Sequence, residues 1–226
     1  MIVTLGWLSL AGFLVMGTWI FGFLPEEQTM GFSQRIMYLH VPSVIIAEYV
    51  AFPVILFASV GYLWKRTEGF DRVAKSSAEV GMLFCGVGIL TGAIWGRPTW
   101  GTYWVWDARL TTALLLFLIY AGYVLLRAFS SPGEQQARLA AVIGIVGALD
   151  IPLIHFSVQW WRTLHQPSTL FQVGSSGEPK PSMPTEFLYP LLTSILLMMV
   201  FYLFLLLYRA RIEAQGEELS RRLASQ

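Results

Sequence analysis

The chain has 226 residues, of which 55% are hydrophobic and 13% charged, with a mean hydropathy of +0.59, values far from those of soluble domains. Its formal net charge of +1 gives no reason to expect nucleic-acid binding, and the few charges act through their positions. The single cysteine, Cys85, sits in an apolar run and cannot form an internal disulfide; without C-x-x-C or C-x-x-C-H there is neither a dithiol redox motif nor a site for covalent haem attachment.

A bilayer core of about 30 Å takes roughly 20 apolar residues per helix, because backbone amides must be satisfied within the segment. In chain order the first such run is about 5 to 24. It is too long for a signal-peptide core and lacks a basic leader, which predicts a retained spanning helix. Further helices are predicted at about 42 to 64, 77 to 95, 108 to 127, 139 to 158 and 187 to 208. The fold class is therefore all-α, a polytopic membrane protein of six transmembrane helices, read as one domain over 1–226.

Lysine and arginine set the orientation. Lys65, Arg66, Arg72, Lys75, Arg127, Arg138, Arg209, Arg211, Arg221 and Arg222 flank one side, against Arg35, Arg97, Arg109, Arg162 and Lys180 on the other. The positive-inside rule places both termini in the cytoplasm. Loops at about 25 to 41, 96 to 107 and 159 to 186 then face outward. Pro42, Asp107 and Thr185 with Glu186 are the start signals of the helices that begin there.

The outer side gathers the polar and aromatic residues. "IWGRPTWGTYWVWDARLTT", Ile94 to Thr112, holds Trp95, Trp100, Trp104 and Trp106 with Tyr103 among them. An interfacial belt is the ordinary role of such rings. Their density, with Gly96, Pro98 and Gly101 opposing a simple helix, points instead to a platform for a flat apolar ligand. His40 lies in "MYLHVPS" and His165 in "WWRTLHQPS", both expected in outer loops; a neutral imidazole is a standard axial ligand of haem iron. His155, about a turn inside the fifth helix, fits hydrogen-bonded packing or support of a ligand.

Arg97, Arg109 and Arg162 match carboxylates such as haem propionates, and lipid phosphate equally well. Asp107 and Arg109, two apart, do not face each other on a helix. Glu48 and Asp150 fall within spanning segments, where a charge costs about 2.5 to 3.5 kcal/mol and invites a functional explanation. Glu48, two turns beyond His40, is a candidate support for it. Pro53, Pro152 and Pro190 predict kinks whose freed carbonyls can take such groups. No nucleophile and base pair, paired outer carboxylates or phosphate-binding glycine loop is present, which argues against an enzyme and assigns any ATP use to a partner.

"WGRPTWGTYWVWDARLTT" resembles the WWD signature of haem-handling membrane proteins. With "RIMYLHVPS" and "WWRTLHQPST", across essentially the whole chain, it resembles the haem exporter protein C (CcmC) family of cytochrome c maturation. That resemblance implies a non-covalent haem b with His40 and His165 as its two axial ligands. Trp95, Trp100, Tyr103, Trp104, Trp106 and Asp107 would form the platform. It implies presentation of haem at the periplasmic face of the bacterial inner membrane to the chaperone CcmE, with CcmD, CcmA and CcmB as partners. A shallow surface site, open along one porphyrin edge, is the expected geometry. The alternative is a haem-translocating permease subunit, which would need a path between the helices.

Overall fold

The computed structural model describes residues 1–165, 171–173, 179–181 and 183–225. Six spans long and apolar enough to cross a membrane follow one another: Ile2–Gly22, Phe32–Lys65, Glu68–Trp100, Ala108–Phe129, Glu134–Trp160 and Thr185–Ala224. The chain is an all-α membrane protein, and the even number of spans puts both termini on the same side. Four spans are single helices: α1 (Ile2–Gly22), α4 (Glu68–Trp100), α5 (Ala108–Phe129) and α8 (Thr185–Ala224). The other two are broken, and the breaks shape the site.

The second span begins as a 3-10 turn, Phe32–Ile36, continues as α2 (Met37–Ile45), widens into a π-helical turn at Ile46–Ala51 and ends as α3 (Phe52–Lys65). Pro53, at the start of α3, has no N–H for the ladder, and the wide turn absorbs the mismatch. Its carbonyls find other donors: Tyr120 Oη donates to Ala47 O at 2.7 Å and Ser77 Oγ to Ala51 O at 2.8 Å. The fifth span divides into α6 (Glu134–Gly147) and α7 (Asp150–Trp160). Ahead of Pro152 the ladder tightens, with Ala148 N–H bonded to Ile145 O and Leu149 N–H to Val146 O. Pro190, by contrast, lies inside an α8 that runs on without a break.

Two sequence expectations are corrected here. His40 was expected in a loop, but helix begins at Phe32 and puts it in the middle of α2; the polar Ser33, Gln34 and Arg35 hide an interfacial helix start from a hydropathy reading. Gly96 and Pro98 were expected to oppose a helix, yet α4 runs through both and stops at Gly101, whose φ of 78° is the left-handed stop that glycine favours. Among the described residues the outer segment between α7 and α8 carries a two-stranded ribbon, β1 (Phe171–Val173) paired antiparallel with β2 (Pro179–Pro181). The remainder of the expected outer loop, 166–170, 174–178 and 182, lies outside the described residues.

The main core fills the inner half of the bundle, where Phe52, Ile55, Ala78, Phe84, Tyr120 and Ile154 are buried together. Beyond the bilayer, α4 and α8 continue as a pair fastened by charges. Arg72 meets Glu217, Lys75 meets Glu213, and Arg209 meets Glu79 and Glu213. Arg127 at the end of α5 grips Asp71 through two 2.8 Å hydrogen bonds, the planar two-point match of guanidinium to carboxylate.

Candidate functional site

Between the outer halves of α2, α4, α5 and α7 lies a cavity of about 510 Å³, within the range of roughly 300 to 1,000 Å³ typical of cofactor and small-molecule sites. Both His40 and His165 line it, as do Trp95, Trp100 and Trp104. At its inner end it reaches Ala47, Glu48, Cys85 and Leu116, all of them buried. It is deeper than the shallow shelf expected from sequence. Along its wall Gly88 and Gly92 let α4 close up on α2, since a Cβ at Gly88 would sit 2.9 Å from Val44 Cγ2.

His40 is held by α4. Its Nδ1 lies 2.9 Å from Gly88 O, so Nδ1 carries the proton and donates to the carbonyl. Nε2, with no hydrogen-bond partner among the described residues, is left as the basic nitrogen. Fixing one ring nitrogen so that the other can bind metal is the usual support of a ligating imidazole. Gly92 makes the approach possible, because a Cβ there would sit 2.8 Å from His40 Cε1. The Trp95 ring meets the imidazole edge-on, with centroids 5.8 Å apart.

His165 follows α7 and stands beside Trp100, 6.1 Å between ring centroids. Asp107 connects this segment to the tryptophan segment. Its Oδ1 accepts from Leu110 N–H at 2.9 Å, capping α5, and its Oδ2 accepts from Leu164 N–H at 3.1 Å. It therefore acts through the neighbour of His165 and is not among the residues lining the cavity.

Trp100 ends α4, whereas Trp104 comes from the irregular segment that follows. Trp104 meets Trp106 edge to face at 5.7 Å. The indole N–H groups of Trp95 and Trp104 are buried and have no hydrogen-bond partner among the described residues, an expensive arrangement in the absence of an acceptor. Tyr103 and Trp106 are 60% and 76% exposed and stand outside the cavity lining, facing outward where the sequence reading had them on the platform.

Of the three arginines only Arg109 reaches the cavity. Arg97 turns away, donating to Gly101 O and lying over the Tyr103 ring at 5.8 Å, and Arg162 is exposed at the surface. Arg109 donates to Ile154 O at 2.8 Å and stands 3.6 Å from Glu48. Sequence reasoning found no partner for Glu48, because the pair is separated by most of two spans. Glu48 and Tyr49, adjacent in sequence and about 100° apart on a regular helix, both line the cavity in the widened turn. Tyr49 Oη lies 3.0 Å from His155 Nδ1, so His155 joins the cavity wall through a tyrosine that the sequence did not single out. Asp150 is buried, and its carboxylate has no hydrogen-bond partner among the described residues.

A family model described as haem exporter protein C (CcmC) matches residues 1–225. The chain belongs to the haem exporter protein C family. A family member from Bradyrhizobium diazoefficiens, itself named haem exporter protein C, is 43% identical over 191 residues, 83% of this chain and 70% of the relative. The Haemophilus influenzae haem exporter protein C is 37% identical over 203 residues, 90% of this chain and 80% of its own length. A putative cytochrome c biosynthesis ccmC-like mitochondrial protein of Marchantia polymorpha is 38% identical over 172 residues, 75% of this chain and 70% of the relative.

Proposed function

We propose that this family member binds haem b non-covalently in the outer cavity, with His40 and His165 as its two axial ligands, and presents it to the chaperone CcmE for cytochrome c maturation. The observation that carries the reading is the convergence of both histidines and three tryptophans on one cavity. The donor set fits the group: His40 offers a basic Nε2, and the buried indole N–H groups of Trp95 and Trp104 want acceptors. Arg109, with its charge balanced by Glu48 at 3.6 Å, is the propionate partner the cavity supplies. Haem brings iron with two axial positions. His40 and His165 would hold it there, and two imidazoles on the iron would discourage oxygen chemistry before delivery.

The reading places 1–226 as a single six-helix domain in the bacterial inner membrane with its working face in the periplasm. The small membrane protein CcmD and the ABC subunits CcmA and CcmB are its assembly partners. A second reading, a haem-translocating permease, gains from the depth of the cavity. Against it stands the packing of the inner half, where Phe52 and Tyr120 meet edge-on at 5.2 Å within the buried core. The test loads the purified chain with haem and mixes it with haem-free CcmE. Transfer is expected, and replacing Trp100 and Trp104 together should weaken retention or loading. Full retention and loading in that variant would return the rings to the lipid belt.

A further inference from the structure

Ionisable and strongly polar side chains within membrane spans normally face the bundle interior or a water-filled cavity. Tyr49, His155 and Gln159 follow this rule and yet are not enclosed. All three line the cavity, and all three are also exposed, Tyr49 by 42%. They therefore mark a seam where the cavity wall is also the outer wall of the protein.

The packing explains why the wall is thin there. α7 packs on α5, and α2 with the π-helical turn packs on α4 and α8, so the two flanks of the seam are anchored to different neighbours. Across it runs the contact between Tyr49 Oη and His155 Nδ1 at 3.0 Å, with the two rings perpendicular at 89°. Beside it, Phe156 and Trp160 are exposed and stack at 21°, forming a flat apolar sill on α7. The outer end of the cavity, by contrast, is walled by Trp100, Trp104 and His165.

We propose that this seam is a lateral doorway, latched by the Tyr49–His155 pair, through which a planar amphiphile dissolved in the outer leaflet passes into the cavity. The chemistry on either side fits such a ligand. An apolar macrocycle slides along the Phe156 and Trp160 faces, and its polar edge exchanges for the tyrosine and imidazole as the latch parts. A single hydrogen bond contributes only about 0.5 to 1.5 kcal/mol net, which holds the seam shut but opens it readily. The proposal rests on the reading of the cavity as a haem site and adds the route by which haem reaches it.

The test uses the full chain in lipid nanodiscs and haem carried by phosphatidylcholine vesicles. Tyr49→Cys and His155→Cys together are joined by a short, dithiol-cleavable bis-maleimide; the parent, whose one cysteine is buried, is treated alike. Haem loaded before joining should stay bound with an unchanged spectrum. When the seam is joined first, uptake from vesicles should slow at least tenfold, and cleavage should restore it. Uptake at the unjoined rate would overturn the doorway while leaving the haem site intact. Failure of the parent itself to acquire haem would instead overturn the haem reading, and the doorway with it. Should the double variant not fold, Tyr49→Phe decides: uptake should quicken at least threefold with an unchanged final spectrum, and an unchanged rate would overturn the proposal.

Discussion

Replacing Gly92 by alanine isolates the support of His40 from everything else in the bundle. The added Cβ would lie 2.8 Å from His40 Cε1 and 3.2 Å from Nδ1. Ordinary carbon contacts begin near 3.5 Å, so the ring must retreat by about 0.7 Å. A retreat of that size along the 2.9 Å bond to Gly88 O stretches it to about 3.6 Å, where it no longer counts as a hydrogen bond. The bond itself contributes about 1 kcal/mol. The larger effect is on the imidazole that it orients, since losing such outer support typically costs 10- to 100-fold in metal affinity. Helix stability should not fall, because alanine is favoured over glycine in a helix interior by about 1 kcal/mol.

The assay is a titration of haem into the detergent-solubilised chain followed by its Soret absorbance, with helical content checked by circular dichroism. Gly92→Ala should bind haem 10- to 100-fold more weakly at unchanged helicity. Gly86→Ala is the control on the same helix, since its Cβ would meet only Phe117, at 3.4 Å, and should bind as the parent does. Affinity within about twofold of the parent for Gly92→Ala, with the same spectrum, would refute the idea that His40 is oriented from α4.

Other perturbations have equally definite outcomes. Asp107→Ala removes the cap of α5 and the tie to Leu164 together; it should cost about 0.5 to 2 kcal/mol in thermal unfolding and perturb the haem spectrum, whereas Asp107→Asn should retain most of the cap. Glu48→Ala leaves the partly buried Arg109 without its counter-charge and should destabilise the chain by less than the ~3 to 5 kcal/mol of a fully buried pair, with Glu48→Gln costing less; equal losses would mean that shape and not charge matters there. Arg209→Ala severs the contacts to Glu79 and Glu213. These groups are partly exposed, so the expected loss is about 0.2 to 1 kcal/mol, and raising the salt concentration should shrink it.

The six spans were legible because hydropathy is a local property. Orientation brought His40, His165 and the tryptophans to one side, and the cavity now joins both histidines to three of the rings. The sequence did not show that His40 stands on a helix, since Ser33 to Arg35 resemble a loop when read for hydropathy alone. Nor did it show the π-helical turn, which is set by how Pro53, Tyr120 and Ser77 share its carbonyls. Pairs such as Glu48 with Arg109, or Tyr49 with His155, join residues distant in the chain and carry no periodic signal. The depth of the cavity was hidden for a related reason. Gly88 and Gly92 bring α4 close against Val44 and His40 of α2, and glycine in a spanning helix signals such close packing without showing how far the space beside it extends. The ion pairs between the ends of α4 and α8 could not be paired without knowing that both helices continue past the bilayer.

The most direct measurement of the central claim is optical. Oxidised and reduced spectra of the haem-loaded chain should be low-spin and six-coordinate, and His40→Ala and His165→Ala should each abolish or alter them while His155→Ala changes little. Parental spectra in both of the first two variants would contradict the account.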